Sequence, residues 1–344
     1  MKKIYFALSA AVLLASCGKS GSQSSASSQI KIVGSSTVYP FTKSVAEDFQ
    51  RKHAGASVIV ESTGTGAGMK LFCAGVGSEF PDVVNASRPM KAGEYEACQK
   101  AGAKTIIEVP IGIDGLTLIE ANAAQPLNLT VRDVYAALAA NPFGKPNTAK
   151  TWKDVNPALP AVAIRVLGPP PTSGTRDSLA ELILEKGCDS DPAMKALKKA
   201  DDAKHKDICT KVREDGAFVE AGENDNLLVQ KVNADPGTLG VLGYSYLEEN
   251  ADKVRAVALA GVSPTEETIS NLSYPGARKL FIYVKGEHMQ AKPLIRDFVA
   301  AYAKVWNGGG PLERLGLVPL GADDARAAGR QATELSPLDP SKLK

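Results

Sequence analysis

The sequence lacks most of what marks an enzyme or a nucleic-acid binder. Its three histidines, His53, His205 and His288, are scattered over 344 residues, and it has no Cys-x-x-Cys pair. A zinc site is therefore not expected, and nothing calls for a cofactor. No pair of acids has a catalytic spacing, so Thr37 or Ser173 would lack a base if either were a nucleophile. There is no excess of charge of one sign: 40 basic residues face 38 acidic ones. That balance leaves no basic footprint for nucleic acid. After the first twenty residues no long charge-free apolar run occurs, so no transmembrane helix is expected. The Gly-rich loop Gly64 to Gly68 runs into Met69-Lys70, not into the Lys-Ser/Thr of a P-loop, and it does not match a dinucleotide fingerprint.

What is present begins with a targeting segment. Lys2-Lys3 precede a largely apolar stretch from Ile4 to Leu14, then Leu14-Ala15-Ser16-Cys17. The last four residues resemble a bacterial lipobox. That resemblance implies cleavage before Cys17, lipidation of Cys17 and attachment to a membrane at the periplasmic or extracellular face of a bacterial envelope. Residues 18–28 form a Gly/Ser/Gln-rich tether. Loss of residues 1–16 removes Lys2 and Lys3 and no acid, so the mature chain is near neutral. Any anion must then be held by local dipoles and single basic residues.

Four cysteines remain, Cys73, Cys98, Cys188 and Cys209. An even number in an exported chain suggests two disulfides. Three connectivities are open. Nearest-neighbour pairing, Cys73–Cys98 and Cys188–Cys209, is preferred because each loop then stays within one lobe.

The chain repeats one pattern of strand, hydroxyl/Gly turn and helix. Lys31-Ile32-Val33 leads into Gly34-Ser-Ser-Thr-Val-Tyr-Pro40, and Phe41, Val45 and Phe49 mark a helix face. Residues 57–62 lead into Thr63-Gly-Thr-Gly-Ala-Gly68. Residues 161–167 lead into Thr172-Ser-Gly-Thr-Arg176. A short strand at 81–84 ends in Asn85-Ala-Ser-Arg-Pro89. Strands are read at 104–113 and 116–120, joined through Asp114-Gly115, and at 278–284; a helix spans 293–305, and 311–344 is a polar tail with short helical pieces. Strands alternating with helices imply an α/β fold with parallel strands, and ligands there sit beyond the strands' carboxyl ends. Ser and Thr at several helix starts, with Arg88 and Arg176 beside them, suit a dehydrated oxyanion such as phosphate or sulfate. An ordinary ion pair is the alternative reading for either arginine.

These motifs, with Gly240-Val-Leu-Gly-Tyr244 and Tyr274-Pro275…Arg278-Lys-Leu-Phe-Ile-Tyr283, resemble the PstS-type phosphate-binding proteins over residues 30–325. The resemblance implies a two-lobed type II periplasmic-binding-protein fold, each lobe a mixed sheet flanked by helices, with the ligand in the cleft. Lobe I would be 29–112 plus 281–344, and lobe II 113–280. It implies a monomeric, non-enzymatic receptor that binds inorganic phosphate and delivers it to the permease of an ABC importer. Carried over by position, the phosphate ligands are Ser36, Thr37, Val38, Thr65, Ser87, Ser173, Gly174 and Thr175, with Arg88 or Arg176 as the charged clamp. Two positions depart from the family. Ser87 stands where many relatives carry an Asp that accepts the proton of hydrogen phosphate, and Gly168 to Pro171 stands where many carry an Arg. A binder of sulfate or another tetrahedral oxyanion is therefore the second reading, ahead of a phosphatase.

Overall fold

The computed structural model describes residues 28–171, 173–222 and 224–343. Cys17 and residues 18–27 of the tether lie outside them. Eleven strands are present among these residues: β1 (Gln29–Gly34), β2 (Ser57–Ser62), β3 (Val83–Ala86), β4 (Ile106–Ala121), β5 (Asn128–Leu129), β6 (Val166–Gly168), β7 (Phe218–Glu220), β8 (Leu239–Gly243), β9 (Val254–Ala256), β10 (Ala258–Leu259) and β11 (Ala277–Lys285). Nine of them make one curled mixed sheet in the order β2-β1-β3-β11-β4-β8-β6-β7, with β9 also on β4; β5 and β10 pair separately.

At one end β1 pairs in parallel with β2 and β3. At the other, β6 lies parallel to β7 and β8. Between them run β4 and β11, antiparallel to each other from Ile106–Lys285 to Gly115–Ala277. Both ends of the sheet hang on this pair, which makes the chain two-lobed.

Alternation places the two faces of β1 in different cores. Ile30 and Ile32 join Phe41, Val45 and Phe49 of the helix Tyr39–Lys52, with Phe298 and Tyr302 of the helix Leu294–Ala303. Val33 joins Met69 and Phe72 of the helix Thr65–Phe72, Cys98 of the helix Ala92–Lys100, and Val84. Coverage on both faces is why all four residues of β3 are buried, Asn85 among them. Cys73 bonds to Cys98 and Cys188 to Cys209, the preferred pairing.

Four expectations change. The two strands expected either side of Asp114-Gly115 are one 16-residue strand, because Asp114 and Gly115 pair with Arg278 and Ala277. The strand expected at 161–167 shortens to Val166–Gly168; Ala163 makes only a bridge to Thr151. The tail carries a 13-residue helix, Ala322–Glu334, which buries Ala328 and Ala332. The helical run at 174–188 holds a π-helical segment, Leu179–Leu184. Register slips in β11 between Leu280 and Phe281, opposite Gly112 and Pro110. Pro110 has no N–H to give a ladder, so a bulge suits it.

Candidate anion-binding site

The first turn is locked by the strands beside it. Gly34 has φ 126°, and a Cβ there would lie 2.2 Å from the Asn85 carbonyl oxygen. Only glycine lets β1 and β3 close at this point. The Ser35 N–H donates to the Asn85 carbonyl at 2.9 Å, and the N–H groups of Thr63 and Gly64 both donate to the Gly34 carbonyl at 2.9 Å. First, second and third turns are thus tied into one rim.

Across the cleft, Gly174 meets this rim. A Cβ on Gly174 would lie 2.6 Å from Thr37 Cα, so the backbones touch. The Thr37 hydroxyl donates to the Gly174 carbonyl at 3.1 Å, and the Ser36 hydroxyl donates to the Asp177 carboxylate. Ser36, Thr37, Asp114, Ser173, Gly174 and Thr175 share the wall of a cavity of about 500 Å³. Ser173 Oγ caps its own turn by accepting from the Thr175 N–H at 3.2 Å. Val38 is fully buried, and its N–H lies 3.4 Å from Ser35 Oγ.

The charge at this junction comes from Arg278, which is 8% exposed. Its Nε donates to Asp114 at 3.1 Å, and one terminal nitrogen donates to Thr37 Oγ1 at 3.0 Å and Ser178 Oγ at 2.7 Å. The other donates to Glu181. Ser178 in turn donates to Asp114 at 2.6 Å. The planar guanidinium therefore links the first turn, β4 and the π-helical run in one node.

Thr65 and Ser87 make a second node. Their hydroxyls lie 2.9 Å apart, the Ser87 N–H donates to Thr65 Oγ1 at 3.1 Å, and Ser87 Oγ lies 3.4 Å from Glu181 Oε2. Glu181 thus joins the two nodes through Ser87 and Arg278. Burial pushes the Asp177 carboxyl above the ordinary aspartate range; the nearby Glu181 charge adds to this, while the Ser36 bond and Arg278 oppose it.

Neither sequence-proposed arginine is on the cavity wall; Arg278 is not on it either but bonds to two residues that are, Thr37 and Asp114, and Val38, Thr65 and Ser87 lie off the wall as well. Arg88 is held by both oxygens of Glu94, at 2.9 and 2.7 Å, although it stays within electrostatic reach of Glu181. Arg176 lies 4.4 Å from the Phe218 ring centroid, donates to the Pro169 carbonyl at 3.2 Å, and faces a separate hollow. Arg165 points to Asp235. In the sequence Arg278 opens a strand and belongs to a motif of the family resemblance, but nothing local assigns it a role. Asp177 and Glu181, four residues apart after the Ser-Gly-Thr turn, had no assigned role.

Residues 20–304 match the family model of the PBP superfamily domain. Protein SphX of Synechococcus elongatus is 37% identical over 304 residues, covering 86% of this chain and 78% of that protein. The phosphate-binding protein PstS of Staphylococcus saprophyticus is 30% identical over 300 residues, covering 85% and 82%. The chain belongs to the PstS-type family of the PBP superfamily. Its fold places it there as well. A possible phosphate binding protein from Planctomyces limnophilus superposes with a TM-score of 0.70 at 27% identity, covering 89% of this chain and 98% of that one. PstS from Borrelia burgdorferi superposes at 0.56 with 19% identity, a likeness of fold. Within this PstS-type frame, the loops at the carboxyl ends of β1, β2, β3 and β6 are the ones that converge, as expected where strand order reverses.

Proposed function

We propose that this protein captures inorganic phosphate in the cleft between its lobes and hands it to the permease of an ABC importer, without catalysing a reaction. One observation carries this reading. A buried arginine, Arg278, holds hydroxyls from both sides of the cleft, Thr37 and Ser178, within 3.0 Å. A guanidinium with converging hydroxyls and backbone turns is the donor set a tetrahedral oxyanion requires.

The ligands in this reading are Ser36, Thr37, Thr65, Ser87, Ser173, Gly174 and Thr175, with Arg278 as the clamp in place of Arg88 or Arg176; the Val38 N–H contributes once the turn relaxes from Ser35. Asp114, Asp177 and Glu181 supply the acceptors that Ser87 does not. A carboxylate can accept the proton of hydrogen phosphate, whereas sulfate has none to give and is repelled. Phosphate is therefore favoured, and sulfate is the second reading. Hinge closure would occur on β4 and β11. The slip between Leu280 and Phe281 supports lobe I as 29–112 plus 281–344 and lobe II as 113–280. Lipidation at Cys17 would hold the monomer at the outer face of a bacterial membrane.

Equilibrium binding of labelled phosphate to ligand-stripped protein tests the reading, with sulfate, arsenate and molybdate as competitors. One site of micromolar or tighter affinity, competed by arsenate and weakly by sulfate, is expected. No phosphate binding near neutral pH would overturn it.

A further inference from the structure

The scatter of histidines along the chain argued against a metal, yet the fold gathers one of them beside a cystine. His205 and Cys209 lie four apart on the helix Asp202–Thr210, hence on one face. Cys188 ends the helix Glu185–Cys188 that this face packs against. A ring nitrogen of His205 and the sulfurs of Cys188 and Cys209 all lie within 4.8 Å of one another, and all three residues are fully buried.

The two ring nitrogens of His205 differ. Nε2 lies 2.7 Å from the Asp189 carboxylate. Nδ1 is buried with no hydrogen-bond partner. Burying a bare polar atom is costly, so the unpaired Nδ1 calls for a partner. A carboxylate on one nitrogen, with the lone pair of the other directed elsewhere, is the arrangement that orients a metal-binding imidazole. Asp189 is itself held by Lys198 Nζ at 3.1 Å.

We propose that the dithiol form of this protein contains a buried site for a thiophilic d10 cation, Zn²⁺ above all, made by Cys188 Sγ, Cys209 Sγ and His205 Nδ1, and that the cystine is its gate. A dithiol reductant opens the site. It gives two electrons to the cystine, becomes a cyclic disulfide, and leaves two protein thiols. Zn²⁺ then displaces the two thiol protons, and two thiolates balance its charge, so no net charge is buried. Tetrahedral zinc, with Zn–S about 2.3 Å and Zn–N about 2.0 Å, sets ligand atoms roughly 3.5 Å apart, a spacing the present cluster reaches with small movements. A small-molecule disulfide takes two electrons from the two thiolates by exchange, leaves as two thiols once protonated, re-forms the cystine and so releases the ion. The site is separate from the anion cavity, whose walls include none of these residues.

The test uses the full chain carrying Cys17→Ser, reduced by a dithiol and desalted anaerobically. Co²⁺ is titrated and the near-ultraviolet thiolate-to-cobalt band is followed. One equivalent is expected to bind, and Zn²⁺ to displace it. Oxidised protein should show no band. Cys188→Ser should abolish the band while Cys98→Ser leaves it. Asp189→Asn should weaken binding about 10- to 100-fold through the lost orientation of His205, and His205→Gln at least as much. Zn²⁺ should also raise the Tm of reduced protein and leave that of oxidised protein unchanged. Absence of the band in reduced protein with native far-ultraviolet circular dichroism overturns the proposal. So does wild-type affinity in the His205→Gln and Asp189→Asn variants, or a reduced-state Tm indifferent to Zn²⁺.

Discussion

Arg278 and Asp114 are direct partners in the ladder between β11 and β4, and their side chains meet again at 3.1 Å. The charged centre of the cleft is therefore built into the two strands that join the lobes. A substitution here is expected to reach both the proposed phosphate site and the strands that join the lobes.

Arg278→Lys keeps the charge but loses the planar fork that holds Thr37, Ser178 and Glu181 at once. Phosphate binding should weaken by about 2–5 kcal/mol, the usual cost of breaking a buried charged contact. Isothermal titration calorimetry measures it. Arg278→Ala should in addition lower stability, since Asp114 would be left without its cation.

Gly174→Ala separates closure from folding. The new methyl would sit 2.6 Å from Thr37 Cα, so the turn cannot approach the first loop as it does here. Phosphate affinity should fall at least about tenfold, or 1.4 kcal/mol. Gly174 is not in the positive-φ region, so the Tm should change little. An enlarged radius of gyration in small-angle scattering with phosphate present would accompany the loss; wild-type affinity would contradict it.

Glu181→Gln removes the carboxylate that rests on Ser87 and Arg278. Sulfate binding should strengthen more than phosphate binding, because the fully ionised anion loses a repulsive neighbour while hydrogen phosphate also loses a proton acceptor. The phosphate-to-sulfate ratio of affinities should drop about tenfold. Competition titrations of both anions against the variant read this ratio.

Asp82 governs the acid limb of stability. Burial raises its pKa, but bonds from His288, the Lys31 N–H and Lys292 outweigh this, and the net shift is downward. The folded carboxylate therefore holds its proton less tightly than the unfolded one. Its contribution is present above the ordinary aspartate pKa of about 3.9 and is lost as pH falls through the lower folded value. Asp82→Asn should cost about 3–5 kcal/mol near neutral pH, because Lys292 stays buried without a counter-charge. Urea unfolding from pH 7 down to pH 3 should show the gap between variant and wild type narrowing with acid.

Several features of the site were readable in advance because they are local. Ser36-Thr37, Thr65 and Ser173-Gly174-Thr175 sit at helix starts following strands, and turn chemistry leaves its residues adjacent in sequence. The Cys73–Cys98 and Cys188–Cys209 bonds also join near neighbours. The arginines were different. Arg88 and Arg176 stand beside donor turns in sequence, but Glu94 holds the first and Phe218 stacks with the second. A long flexible side chain does not point where its backbone does.

By itself, then, the sequence determined the alternation of strand, hydroxyl turn and helix, the apolar faces and the near-neutral charge, since these depend on period and neighbour. Only the tertiary structure decided which charges enter the cleft and that His205 would face a cystine. The Arg278–Asp114 contact spans 164 residues and exists because two strands pair in one register rather than another. Each strand's alternation fixes which of its faces is buried, but which distant strand lies beside it is settled only when the sheet assembles.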